Sequence, residues 1–291
     1  MTSRARLTKA LANAKEMTIP KRANLILFSD LHRAGGGGAD HFARNQEIYL
    51  AALRYYDARD FYYIELGDGD DLWEEADYNN IVREYEAVFL QLRKFYEAGR
   101  LLMLSGNHDI VKRNPVWVEQ NMQSYKLQEG GSAKRLFRGI ETHEAMILSI
   151  LHTDIALLLL HGHQADFLNT RLSFLARFLV QHLWQPLALL GLRNPFDAVS
   201  KPKHPHRVEK RLTRFAEEVE MTIVAGHTHR PYFSQEDEGR YFNSGSGVHT
   251  RYITGLEIRE GKIAQVKWER AVKPDGTLYI KRKQMTKARV L

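Results

Sequence analysis

Five short apolar runs, each closed by a loop of Asp, Asn or His, constrain the fold of this 291-residue chain more than any other feature. Asn24 to Phe28 leads into Ser29-Asp30-Leu31-His32, and Phe61 to Ile64 leads toward Gly67-Asp68-Gly69-Asp70-Asp71. Leu101 to Leu104 precedes Ser105-Gly106-Asn107-His108-Asp109, and Ile155 to Leu160 precedes His161-Gly162-His163. Met221 to Ala225 precedes Gly226-His227-Thr228-His229-Arg230-Pro231. Runs this short and this apolar read as strands buried on both faces, because a half-exposed strand would alternate polar and apolar residues. Helical spacing separates the first three. Ile48, Ala51, Ala52 and Tyr55 mark Asn45 to Ala58; Ile81, Tyr85, Val88, Phe89 and Leu92 mark Asn80 to Ala98, which Gly99 stops. Strand, polar loop and helix in alternation predict an α/β sheet.

The middle of the chain changes character. Leu136 to Ile140, His143 to Leu151 and Asp154 to Leu160 read as strands joined by short turns, so an antiparallel portion is expected there. Residues 165–217 read as an insertion. Phe167 to Trp184 carries Leu168, Leu172, Leu175, Leu179 and Leu183 at helical spacing, Pro186 breaks the pattern, and the charge turns basic from Lys201 to Arg214. We expect a helical cap, packed on the body or with its apolar face also meeting lipid, and too short and too charged to span a bilayer. Further strands are expected at Tyr241 to Asn243, Tyr252 to Ile258, Ile263 to Trp268 and Thr277 to Ile280. The expected organisation is a basic N-terminal helix over 1–23, a main domain over 24–270 and a basic tail over 271–291.

Hydrophobic residues make up 44% of the chain, enough for a sizeable core, and there is no cysteine. That excludes disulfides, thiolate metal sites and thiol catalysis, and makes a reducing cytoplasm the expected setting. Met1 to Met17 lacks the continuous apolar stretch of a secretory signal. The net charge of +7 is unevenly spread, with +5 over 1–22, +7 over 168–214, +5 over 273–291 and −10 elsewhere. An acidic body with basic patches suits a cation-filled centre approached by anions, and the patches could also meet an anionic membrane at the inner face. A nucleic-acid binder would more often spread its basic charge along one groove. The run Gly35 to Gly38 is not a phosphate-cradling loop, since no Gly-Lys-Ser/Thr follows it.

Open α/β sheets bind ligands just beyond the carboxyl ends of their strands, so the five loops are expected to share one site. Asp30, His32, Asp68, Asn107, His161, His227 and His229 offer carboxylate, amide and imidazole donors without sulfur. Such a set suits manganese foremost, with iron or zinc as alternatives. Seven donors exceed what one ion takes and suit two divalent ions sharing a carboxylate. Gly226, ahead of the last pair, is expected to let the backbone turn sharply.

These motifs, in this order, resemble the calcineurin-like metallophosphoesterase superfamily over roughly residues 24–260. The resemblance implies a four-layer αββα sandwich of two mixed β-sheets flanked by helices, with the helical cap inserted. It implies one metal held by Asp30, His32, Asp68 and His229, and a second held by Asp68, Asn107, His161 and His227, with Asp68 bridging. A hydroxide shared by the two ions would attack phosphorus in line. His108 would protonate the leaving oxygen, while Asp71 and Asp109 would orient the side chains in front of them. Arg33, His163 and Arg230 are candidate contacts to substrate phosphate.

The superfamily spans phosphomonoesterases, phosphodiesterases, nucleases, protein phosphatases and pyrophosphatases, so the motifs imply a chemistry and not a substrate. The insertion looks like the lipid-binding cap of UDP-2,3-diacylglucosamine hydrolases, as do Asp30-Leu31-His32 and the Gly226 to Pro231 motif. His108 stands where that branch carries arginine, and His161-Gly162-His163 replaces its His-Gly-Asp. The expectation is a phosphoesterase or pyrophosphatase acting on a small or lipid-linked substrate beneath the cap. A nuclease gripping nucleic acid through the basic segments is the first alternative. A non-catalytic scaffold is the second, although no motif ligand is missing.

Overall fold

A computed structural model describes the chain except for residues 38–39, 129, 167–204 and 236–238. Helix α1 (Ser3–Ala12) leads to strands β1 (Lys15–Ile19) and β2 (Leu25–Phe28), followed by helix α2 (Gln46–Asp57) and strand β3 (Tyr62–Leu66). Helices α3 (Tyr78–Glu84) and α4 (Glu86–Glu97) precede β4 (Leu101–Leu104), then come α5 (Pro115–Asn121) and the short strands β5 (Ser124–Tyr125), β6 (Lys134–Arg135) and β7 (Thr142–His143). Strands β8 (Ala145–Ile150) and β9 (Ala156–Leu160) form a hairpin. Helix α6 (Pro205–Glu218) precedes β10 (Thr222–Ala225), β11 (Tyr232–Phe233) and β12 (Tyr241–Asn243). Strands β13 (Tyr252–Arg259), β14 (Lys262–Val272), β15 (Leu278–Gln284) and β16 (Arg289–Val290) complete the order.

Two mixed sheets result. The eight-stranded sheet has the order β15-β14-β13-β2-β3-β4-β7, with β16 paired to β14; the six-stranded sheet has the order β1-β8-β9-β10-β12-β11. Residue alternation assigns the layers. Leu25, Leu27, Ile64, Leu66, Leu102 and Leu104 face the other sheet, where Leu157, Leu159 and Val224 meet them. Ile26, Phe28, Tyr63, Leu101 and Met103 face the opposite way, into a core shared with α2, α3 and α4. On the second sheet Leu158, Leu160, Ile223 and Ala225 pack against Leu7 and Ala10 of α1 and Val208, Leu212 and Phe215 of α6. The four layers are therefore helix, sheet, sheet, helix, and the motif strands are continuously apolar because each is covered twice. Each fully buried leucine contributes about 1.5–3 kcal/mol to this arrangement.

Several local expectations are corrected. The helix expected over Asn80 to Ala98 is two helices broken at Tyr85, whose backbone lies at φ −110°, ψ 34° and whose hydroxyl donates to Asp40 at 2.5 Å. Leu136 to Ile140 is not a strand: Leu136, Phe137 and Ile140 bury their side chains in the helix-side core while the backbone turns at Gly139, φ +84°. The basic N-terminal segment is not helix alone, because Lys15–Ile19 adds a parallel edge strand to β8. Nor is the C-terminal segment a tail, since Leu278–Gln284 pairs with Val266 to Val272 of β14. Most of the 165–217 insertion lies outside the described residues. Its last stretch, α6, packs on β10, β12 and α1 as part of the outer helical layer rather than as a cap. Among the described residues no helix is long and apolar enough to cross a membrane.

Candidate metal centre

The two sheets touch at the carboxyl ends of their parallel strands, and the motif loops meet there. His161 Nδ1, at the end of β9, lies 2.9 Å from the carbonyl of Leu66 at the end of β3. The amide of His227, after β10, donates to Asp30 Oδ2, after β2, at 2.8 Å. The loops after β2 and β3 are laced by backbone bonds from Asp30 N to Gly67 O and from His32 N to Asp68 O, at 3.1 and 3.0 Å. Such spacing leaves no room for side chains in between. A Cβ at Gly67, φ +89°, would stand 2.6 Å from Gly106 N, and one at Gly226 would collide with Ser29 Oγ and Asp30 Oδ2. Gly226 is thus needed for close approach, while the left-handed backbone of this loop falls on His227 and His229, at φ 69° and 53°.

Asp30, His32 and Asp68 share that conformation, at φ 51°, 51° and 50°, so five of the seven candidate ligands hold a backbone that side-chain-bearing residues rarely adopt. Strain of this kind persists only where the surroundings enforce it, and it concentrates at functional sites. Its local effect is to turn consecutive polar side chains toward one point.

All seven predicted donors gather at these strand ends. His229 Nε2 lies 3.1 Å from Asp30 Oδ1 and 3.2 Å from His32 Nε2. His161 Nε2 lies 3.0 Å from Asp68 Oδ2 and 3.9 Å from Asp30 Oδ1. Asp30, His32 and His229 form one group with donor atoms mutually within 4.8 Å, and Asp68, His161 and His227 form another. His32 Nε2 reaches across to Asp68 Oδ2 at 4.0 Å, which puts Asp68 between the two groups. Asn107 is buried in the same loop as His108, whose amide donates to Asp68, and its Oδ1 has no hydrogen-bond partner. An unpaired buried amide oxygen among carboxylates and imidazole nitrogens fits divalent cations, and the oxygen and nitrogen donor set fits manganese, iron or zinc.

The electrostatics point the same way. Burial pushes the Asp30 carboxyl up, but His229 and His161 outweigh it and hold its pKa down to about 2. Asp68 and Asp71 are likewise pressed below the usual carboxylate range, against the effect of burial, by His161 and His108 respectively. Burial lowers the His161 and His108 pKa values, yet the facing carboxylates win and raise each to about 9. Burial instead lowers the His229 and His163 values, so protons are drawn to His161 and His108, where the facing carboxylates make a negative potential suited to cations.

Asp71 serves two imidazoles at once. Its Oδ2 lies 3.1 Å from His32 Nδ1 and its Oδ1 lies 3.0 Å from His108 Nδ1, leaving both Nε2 atoms directed away from it. Asp109 Oδ1 accepts the amides of Gly106 and Asp68 at 2.6 and 3.3 Å. His163 is buried beside His161 and 2.9 Å from Arg113 Nη2, and Arg230 is exposed with its guanidinium on His206 at 3.0 Å. Arg33 is the contradicted expectation. It is wholly buried, with Nε 2.6 Å from Asp70 and Nη2 2.9 Å from Glu65, so it faces away from any substrate.

Four contributors carry no motif signal in the sequence. Trp73 stacks on His108 at a centroid distance of 4.0 Å. Asp166 Oδ2 lies 3.4 Å from His227 Nε2. The turn bearing Asp166 is held by guanidinium bonds to successive carbonyls, from Arg6 to Gln164 and Asp166 and from Arg211 to Ala165, at 3.0, 3.1 and 2.7 Å. Arg6 and Arg211 read as surface charges in helices, and only tertiary packing brings them to this turn.

No curated protein matches the chain. Among solved structures it is similar to a predicted phosphoesterase from Streptococcus pneumoniae, with 14% identity, 90% of this chain and 98% of that one covered, and a TM-score of 0.36. It is also similar to Vps29 from Chaetomium thermophilum, with 11% identity, coverage of 91% and 96%, and a TM-score of 0.45. Vacuolar Protein Sorting 29 from Cryptosporidium parvum gives 13% identity, coverage of 91% and 98%, and a TM-score of 0.43. The model of the calcineurin-like phosphoesterase family matches residues 23–231, a span that includes all five motif loops. By that match the chain belongs to the calcineurin-like phosphoesterase family.

Proposed function

We propose that the chain is a metal-dependent phosphoesterase. Asp30, His32 and His229 hold one divalent cation, Asn107, His161 and His227 hold a second, and Asp68 serves both. The observation that carries this reading is the pair of donor groups, Asp30 with His32 and His229 and Asp68 with His161 and His227, each with donor atoms mutually within 4.8 Å. Beside them the buried Asn107 Oδ1 has no hydrogen-bond partner, a state that costs about 1–3 kcal/mol and that a cation among these donors offsets. When bound, the pair of cations supplies Lewis-acid charge for the phosphoryl oxygens and lowers the pKa of a water nucleophile.

The chain's own groups supply the remainder. His161 is oriented through its Nδ1 by the Leu66 carbonyl, and His32 through its Nδ1 by Asp71. His108, held by Asp71 and stacked on Trp73, keeps its Nε2 free to give a proton to the leaving oxygen. A histidine in that place favours a leaving group that needs a proton, such as an alkyl ester. The substrate is a phosphoester or pyrophosphate, small or lipid-linked. The test is turnover by manganese-loaded protein on monoesters, diesters, nucleotide pyrophosphates, lipid pyrophosphates and single-stranded DNA. Hydrolysis of at least one class is expected, and a protein that binds metal yet hydrolyses none would overturn the reading.

A further inference from the structure

Behind the candidate metal centre lies a cluster of charges that the proposed chemistry does not use. Glu65, Asp70 and Asp109 face Arg33 and Lys112, and all five side chains are buried. Lys112 sits in the single turn after β4, with Nζ 2.6 Å from Asp70 Oδ2, 2.8 Å from Asp109 Oδ2 and 4.0 Å from Glu65 Oε1. Asp70 Oδ1 accepts from Arg33 Nε, and Arg33 directly follows His32 in the chain. Asp109 Oδ1 accepts the amides of Gly106 and Asp68. A single side-chain path therefore runs from the loop after β2, through Arg33, Asp70, Lys112 and Asp109, to the backbone of the loops after β3 and β4.

We propose that Lys112 is a positioning residue for the metal centre: its ammonium holds Asp109 in place and so fixes the loops that carry Asp68 and Asn107. This rests on the phosphoesterase reading above. Lys112 touches none of the candidate donor atoms and acts only through Asp109. The carboxylates of Glu65, Asp70 and Asp109 offer oxygens mutually within 4.8 Å, and a compact ammonium with three donors satisfies such a set where a planar guanidinium would not. Without it, Asp109 faces two like charges. Repulsion then turns it away, releasing the amides of Gly106 and Asp68. Asp68, at φ 50°, then loses a bond that maintains its conformation. Groups that orient ligands from behind change metal affinity by about 10–100-fold when removed.

The experiment titrates Mn²⁺ into metal-free wild type, K112M, D70N and the double variant D70N/K112M, with thermal melting of each metal-free protein alongside. Wild type sets three carboxylates against two cations, and the double variant sets two against one, so net charge is conserved while the tie to Asp109 is lost. D70N keeps the Lys112–Asp109 bond and is expected to bind metal as wild type does. K112M is expected to melt lower, and D70N/K112M to recover stability but to bind Mn²⁺ about 10–100-fold more weakly. Lys112 acting only as a charge balance gives the opposite result, with the double variant recovering both properties. If K112M does not fold, the double variant carries the test. Wild type taking up no manganese would remove the phosphoesterase reading and this inference together. Wild type binding two equivalents and D70N/K112M matching its affinity would remove the inference alone.

Discussion

The imidazole of His108 lies flat against the indole of Trp73, with ring centroids 4.0 Å apart and an interplanar angle of 20°. The ring of His32 stands nearly perpendicular to that of His108, with centroids 4.6 Å apart at 88°. Together with the Asp71 bond at Nδ1, these contacts leave the ring one orientation. His108→Ala is therefore expected to retain both metals and to lower kcat by about 10²–10⁴-fold, the range for losing a general acid. Loss of metal binding instead would make His108 a ligand and the proposed role wrong. Trp73→Ala keeps the imidazole and removes only the stack, worth about 0.5–1.5 kcal/mol, so kcat should fall about 2- to 10-fold. Trp73→Phe should restore most of it.

Asp68 is the side chain with most to lose. Its Oδ1 accepts the His108 amide at 2.7 Å, and its Oδ2 faces His161 and His32. Asp68→Asn preserves shape while removing the one charge that both groups of donors share. Elemental analysis should then find less than two equivalents of manganese, and turnover should fall by about 10²–10³-fold or more, as when a principal electrostatic contact is removed. Normal metal content with full turnover would exclude a shared carboxylate.

The strands that deliver these residues were legible because each is buried on both faces and so remains apolar from end to end. The same reasoning reaches only the start of β15, expected over Thr277 to Ile280, because its Lys-Arg-Lys-Gln end is largely exposed and pairs with one neighbour only. The break at Tyr85 depends on Asp40, which lies outside any helical pattern. Within the site, the seven donors could be named because motif order marks them. The left-handed backbone at Asp30, His32, Asp68, His227 and His229 leaves no mark in composition. Arg33 was misread because an arginine next to a ligand looks the same in sequence whether it faces phosphate or a buried glutamate. Lys112 and Trp73 carry no pattern at all, since their roles exist only once β3 and β4 lie side by side.

Metal should also stabilise the fold. Asp30, Asp68 and Asp71 stand close together under complete burial, and cations that bind only the folded state lower its free energy. At manganese about 100-fold above its Kd, one occupied site contributes about 2.7 kcal/mol, so the melting temperature should rise by several degrees over that in chelator. Asp68→Asn should lose most of this increment. A melting temperature indifferent to manganese would mean that the loops do not bind it.

Glu257 tests the C-terminal strand independently of metal. Its carboxylate, on β13, accepts from Tyr56 and from Arg282 Nε at 2.5 Å each, from Arg282 Nη2 at 2.6 Å and from Arg259 at 2.8 Å. Burial alone would raise its pKa, but these bonds, Arg282 foremost, bring it below the usual glutamate range. A carboxyl whose pKa is lower folded than unfolded stabilises the protein fully above the unfolded value. That contribution disappears as pH falls through the folded value, because the native state must then take up a proton. Denaturant unfolding in chelator at pH 7 and pH 4 should therefore show wild type losing more stability on acidification than Glu257→Gln. At pH 7 the variant should be about 1–3 kcal/mol less stable, the usual cost of losing hydrogen bonds to a charged group. Equal losses on acidification in the two proteins would mean that Arg282, and with it β15, contributes no such pairing in solution.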